Sequence, residues 1–170
     1  YTGVNIGAAN LAKGDMKGFQ AGMVNVNDGK LRGGGFGFLN LRAGDIQGAE
    51  FGYINISGGN VRGARFGFVN ANKGNIRGAD LGFINLSTGV TEGLKLGFLN
   101  LNMDENKALT AGFINISKSV SNHQVGFINI TDTVKKGVPI GFLTIARNGY
   151  RRFEAGVSDA LFLQGGYKIG

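Results

Sequence analysis

Few residues in this chain could carry covalent or proton-transfer chemistry. It has no cysteine, so a disulfide scaffold, a thiolate metal site and a Cys nucleophile are all excluded. His123 is its single histidine, which removes most arguments for a His-rich metal site or a His relay. The residues Ser119-Val120-Ser121-Asn122 before it read as a degraded bend, which makes His123 a surface turn residue. Glu50 and Asp80 are the best candidates for an acid/base pair, about 9.6 Å apart if they sit two strands apart in a stack. That is the upper limit for an inverting glycosidase, and Arg65 stands between them. Gly33-Gly34-Gly35-Phe36-Gly37 invites a phosphate-loop reading but lacks the Gly-Lys-Ser/Thr that would make it specific. Gly58-Gly59-Asn60 and similar pieces lack the in-register Asp of a calcium-binding nonapeptide. No catalytic residue, metal ligand or cofactor site is assigned, and the expectation is a protein without enzymatic activity.

Composition accounts for most of these exclusions. Glycine supplies 32 of 170 residues, about one in five against an average of roughly 7%. It does not recur every third residue, and there is a single proline, so the chain is not collagen. With 42% hydrophobic residues and 13 Phe it is too apolar for a disordered linker. No run of 18 apolar residues offers a transmembrane helix. The net charge of +7 permits an anionic partner. A start at Tyr1 fits a processed chain or a fragment.

The glycines belong to a repeat. Asn10, Asn25, Asn40, Asn55, Asn70, Asn85, Asn100 and Asn115 follow one another at intervals of 15, Asn129 comes 14 later, and Thr144 takes the tenth place. With that Asn as position 0, position 1 is apolar, 4 is Gly, 6 is apolar and 8 is Gly. Positions 11 and 13 are apolar or aromatic, 12 is Gly, and 14 is Ile, Val or Leu. Fifteen residues are too few for a helix pair, and three glycines would each weaken a helix by about 1 kcal/mol. Branched and aromatic residues favour strands, and glycine supplies bends. The expected fold is all-β: a parallel β-solenoid of about ten 15-residue coils, roughly 48 Å long at strand spacing.

In a solenoid, equivalent side chains stack in columns. The Asn column, including Asn129, is expected to form a ladder in which each amide donates to one coil and accepts from another. The sequons at Asn55, Asn85, Asn115 and Asn129 are then by-products of the repeat. The column Met23, Phe38, Tyr53, Phe68, Phe83, Phe98, Phe113, Phe127, Phe142 reads as a core spine. Strand parity conflicts with this, because 9, 11 and 13 share one face while 14 and 1 share the other, and both are apolar. Either a corner near position 12 turns both sets inward, the expected arrangement, or an apolar face lies exposed and needs a partner. Position 10 alternates in sign through Glu50, Arg65, Asp80 and Lys95, which reads as a self-paired exposed face. Position 7 is mostly basic. Lys17, Arg32, Arg62, Arg77 and Lys107 form a candidate strip for a polyanion such as lipopolysaccharide or an acidic polysaccharide. Nucleic acid is disfavoured because no recognition motif accompanies the charge.

The repeat loosens at Met103–Thr110, where Asp104 and Ala108 replace glycine, and a bulge or small loop is expected. The solenoid should occupy residues 1–146. Residues 147–170 should form an antiparallel hairpin that caps the open edge or begins a further β domain, with Asn148-Gly149 as its turn signal.

Gly63-Ala64-Arg65-Phe66-Gly67-Phe68-Val69-Asn70 and Gly78-Ala79-Asp80-Leu81-Gly82-Phe83-Ile84-Asn85 resemble the Gly-x-x-hydrophobic-Gly-hydrophobic-hydrophobic-Asn units of bacterial surface-repeat proteins from spirochaetes and Bacteroidetes. The tail Asn148-Gly149-Tyr150-Arg151-Arg152-Phe153-Glu154 resembles the segment that follows such repeats in some Bacteroidetes envelope proteins. The resemblance covers nearly the whole chain. It implies a parallel β-solenoid at the cell surface or outer membrane of a Gram-negative bacterium, and it brings no catalytic residues. The expected role is a structural or interaction module: a spacer, an adhesive or an assembly subunit. Its partners would be other envelope proteins, or copies of itself joined through coil edges. The alternatives are an integral outer-membrane β-barrel with one strand per unit and a polyanion-binding solenoid.

Overall fold

The computed structural model describes residues 2–148, together with the strand backbones Arg152–Ser158 and Phe162–Lys168. Thirteen strands of residues 2–148 form one wound parallel sheet, and every pairing in it is parallel. The expected solenoid is present. A barrel with one strand per unit would need alternate strands to run antiparallel.

Leu31–Arg42, Ile46–Ser57, Val61–Asn72 and Ile76–Ser87 each cover most of one coil and pair at an offset of 15 residues. Asn40 faces Asn55, Asn55 faces Asn70, and Asn70 faces Asn85. At Thr110↔Gln124 the offset drops to 14 without loss of pairing. The segment expected to bulge does not. Leu99–Val120 is one continuous strand that bonds to three others. Without glycine at 104 and 108 the backbone there stays extended, and Ala108 is buried in it.

Glycine at position 8 makes the stack possible. Gly18, Gly33, Gly48, Gly63 and Gly78 hold φ between +138° and +146°, a region other residues rarely enter. A Cβ on Gly63 would also run into the carbonyl oxygen of Gly48 in the coil before it. Position 12 is constrained differently. A Cβ on Gly67 would lie 2.7 Å from the Asn55 amide nitrogen, so glycine there makes room for the ladder.

The interior is narrow and mostly polar. Four side chains per coil point into it, from positions 0, 2, 6 and 10. Only position 6 is aliphatic, through Met16, Leu31, Ile46, Val61 and Ile76. Thr91 and Asn106 continue that column, and the asparagines of position 0 are at most 3% exposed.

The expected aromatic spine lies on the outside. Phe38, Tyr53, Phe68, Phe83, Phe98, Phe113 and Phe127 are between 40 and 57% exposed. They stack ring on ring from Phe38 to Phe142, with centroids 4.8–5.0 Å apart and planes within 8°. No corner turns both apolar sets inward. Positions 11 and 13 face solvent, and positions 14 and 1 are largely half-buried. Position 10, expected on the surface, is buried instead. The reason is strand parity: with positions 10, 0 and 2 turned inward to pair within their columns, positions 9, 11 and 1 must point outward, and 13 shares the face of 11.

Beyond the coils, Arg152–Ser158 pairs antiparallel with Phe162–Lys168, as the expected hairpin requires. The register Ser158↔Phe162 puts Asn148-Gly149 ahead of both strands, so that signal is not the turn between them; Gly149 itself lies outside the described residues.

Candidate functional site

From Asn10 to Asn115 the position-0 asparagines use both amide protons. From Asn10 to Asn129, each Nδ2 donates to the Oδ1 of the next at 2.8–2.9 Å. The second proton of each goes to a strand carbonyl, such as Asn70 Nδ2 to Leu81 O at 3.1 Å. Asn55, Asn85, Asn115 and Asn129 are fully buried in this way, so their sequons present no free amide.

A second ladder, missed in the sequence, runs at position 5. Asp15 accepts from the Lys30 backbone N–H, Asp45 from Asn60, Asn60 from Asn75 and Asn75 from Val90, each at 2.8–2.9 Å. The signal was the run of Asp and Asn at one position, residues that bond backbone at bends.

The interior also holds charges. Arg42 Nε meets Glu50 Oε1 at 2.7 Å, and a second guanidinium nitrogen reaches Gln20 Oε1. Arg65 grips Asp80 with two nitrogens, at 2.8 and 2.6 Å. Lys95 donates to Ser87 Oγ and lies in line with Asp80 of the coil before it. Burial pushes the Lys95 ammonium down to about 8, partly offset by Asp80. Burial likewise pushes the Glu50 carboxyl up against the pull of Arg42. Glu50 and Asp80, the candidate acid/base pair, are therefore sealed inside and each is held by its own arginine.

Positions 5 and 7 border a groove of about 550 Å³. Lys30, Arg62, Arg77 and Lys107 line it beside Asp45 and Glu92. All five strip residues, Lys17, Arg32, Arg62, Arg77 and Lys107, are exposed along this side. Glu92 ties Arg77 at 2.8 Å and Lys107 at 3.8 Å. Arg32 and Arg62 carry no ion pair among the described residues. At the far end Glu105 accepts from Ser121 Oγ and meets Lys135, and both hold its carboxyl below the usual range.

No protein-family model, no curated protein and no solved structure matches the chain.

The other side of the rod is apolar. From Val4 to Ile145, positions 9, 11, 13, 14 and 1 hold no Asp, Glu, Lys or Arg. The stacked rings alone span about 34 Å along it. His123 is exposed, hydrogen-bonded to Asn122.

Proposed function

We propose that the chain is a non-enzymatic structural and interaction module of a bacterial cell surface, serving as a spacer, adhesive or assembly subunit. The observation that carries this reading is translational: each coil repeats the same outer side chains one strand spacing further on, in columns that run the length of the rod. Such a surface fits an extended partner better than a small substrate, which needs a few convergent polar groups in a concavity. Glu50 and Asp80, the interior carboxylates, are sealed from solvent and each is paired with an arginine. The resemblance of the Gly-x-x-hydrophobic-Gly-hydrophobic-hydrophobic-Asn units to surface-repeat proteins supports the location. Coil edges, whose backbone groups pair with whatever strand is laid on them, supply a route to assembly. Antibody raised against the folded chain should label intact cells that produce it. Labelling only after permeabilisation would overturn the surface assignment.

A polyanion-binding role is the second reading, carried by the groove and its unpaired Arg62. Binding of a heparin-like polymer or lipopolysaccharide should weaken with salt. Arg62→Glu with Arg77→Glu should weaken it at least tenfold, and unchanged binding would reject this role.

A further inference from the structure

We propose that the apolar side of the rod docks flat on an anionic lipid bilayer. This deepens the surface-module reading by naming the partner of one face.

Three observations carry it. The first is the inverted distribution of polarity, with asparagines and ion pairs inside and phenyl rings outside. Columns 9, 11 and 13 are about 13 Å wide by strand geometry. With the ring stack about 34 Å long, they present roughly 450 Å² before columns 14 and 1 are added, as large as the biggest patch on a typical monomer.

The second is the backbone. Hydrocarbon accepts a polypeptide surface only where peptide groups are already paired. Here they bond from coil to coil along the rod, as at Ala64↔Ala79, Phe66↔Leu81 and Val69↔Ile84. At columns 9, 11, 14 and 1 the face therefore presents side chains over a paired backbone.

The third is the charge on either margin. Position 7, beside column 9, holds five cations against Glu92 from Lys17 to Lys107. Position 3, beside column 1, holds Lys13, Lys73, Lys118 and Arg147 against Asp28 and Asp132. The acids Asp15, Asp45 and Glu105 sit at position 5, farthest from the face. An apolar face with basic margins matches the section of an anionic leaflet, with acyl chains in the middle and phosphates at the sides. A second copy docked face to face would oppose two basic margins instead.

The chain has no tryptophan, so Phe83→Trp reports on the face and Val90→Trp, at position 5, on the opposite side. Wild-type chain should sediment with phosphatidylglycerol/phosphatidylcholine vesicles and at least tenfold less with phosphatidylcholine alone. Phe83→Trp emission should shift to the blue and be quenched by acyl-brominated lipid, while Val90→Trp should show neither effect. Absence of wild-type sedimentation overturns the proposal and needs no variant to fold. So does equal quenching at both sites, a lipid-free dimer that buries Trp at 83, or binding to soluble polyanion but not to vesicles. A folded monomer that ignores vesicles leaves the surface-module reading standing. Failure of intact cells to label removes that reading and leaves vesicle binding to be judged separately.

Discussion

Asn70 stands for eight other residues. It accepts from Asn55 at 2.8 Å and donates to Asn85 at 2.9 Å and to Leu81 O. Asn70→Ala leaves a buried donor on Asn55 and a buried acceptor on Asn85 short of a partner. A loss of about 2 kcal/mol is expected in urea denaturation, and replacing further ladder residues should add to it. This column was legible because one residue type recurs at one spacing. Lys95 was not placed correctly, since alternating sign announces that neighbours pair but not whether they pair in water or inside. Its burial has a consequence for pH. Below about 8, Lys95 is charged in both folded and unfolded chains and the full desolvation penalty applies. Between about 8 and the ordinary 10.5, the unfolded chain still holds the proton that the fold has released, so stability rises with pH across that window. Lys95→Met should flatten the rise and leave the protein as stable or more stable at pH 7, as thermal melts from pH 7 to 10.5 would show.

At the scale of the coil, glycine decides which side faces in. Gly63 combines a φ of +138° with contact against Gly48. Gly63→Ala should therefore destabilise by about 3 kcal/mol or more. Gly58, at a position where other coils carry Ala43 and Lys73, should accept alanine with a change within about 0.5 kcal/mol. Equal thermal shifts for the two variants would contradict this account of the corner. The period of 15 and the strand character were readable from the sequence. The direction of Phe68 and Phe83 was not, because the habit of placing aromatics inside assumes an apolar core. Here polar columns that pair with themselves at positions 0, 2 and 10 take the inward places, and strand parity sends the rings out. The apolar face and its basic margins, the candidate site, were half legible: the position-7 cations stood out, and the face they border was mistaken for the core.

For the whole molecule, stability should follow register more than length, since each coil contacts only its neighbours. Deleting residues 61–90 removes two coils and Arg65 with Asp80, which brings Glu50 next to Lys95 and Ser57 into the place of Ser87. Deleting residues 61–75 removes one coil but brings Glu50 next to Asp80. The longer deletion should melt higher than the shorter one, against the order that chain length alone would give.

The solenoid is polar within and carries its aromatic columns on one outer face. The absence of native cysteine allows a direct test by thiol labelling of the folded chain. Phe83→Cys, on the ring column, should react with a maleimide at nearly the rate of the denatured protein. Thr110→Cys, at position 10 and 1% exposed in the parent, should be protected by a factor of a hundred or more until the chain unfolds. Protection at 83 with rapid labelling at 110 in a lipid-free monomer would turn the coil inside out and contradict the account.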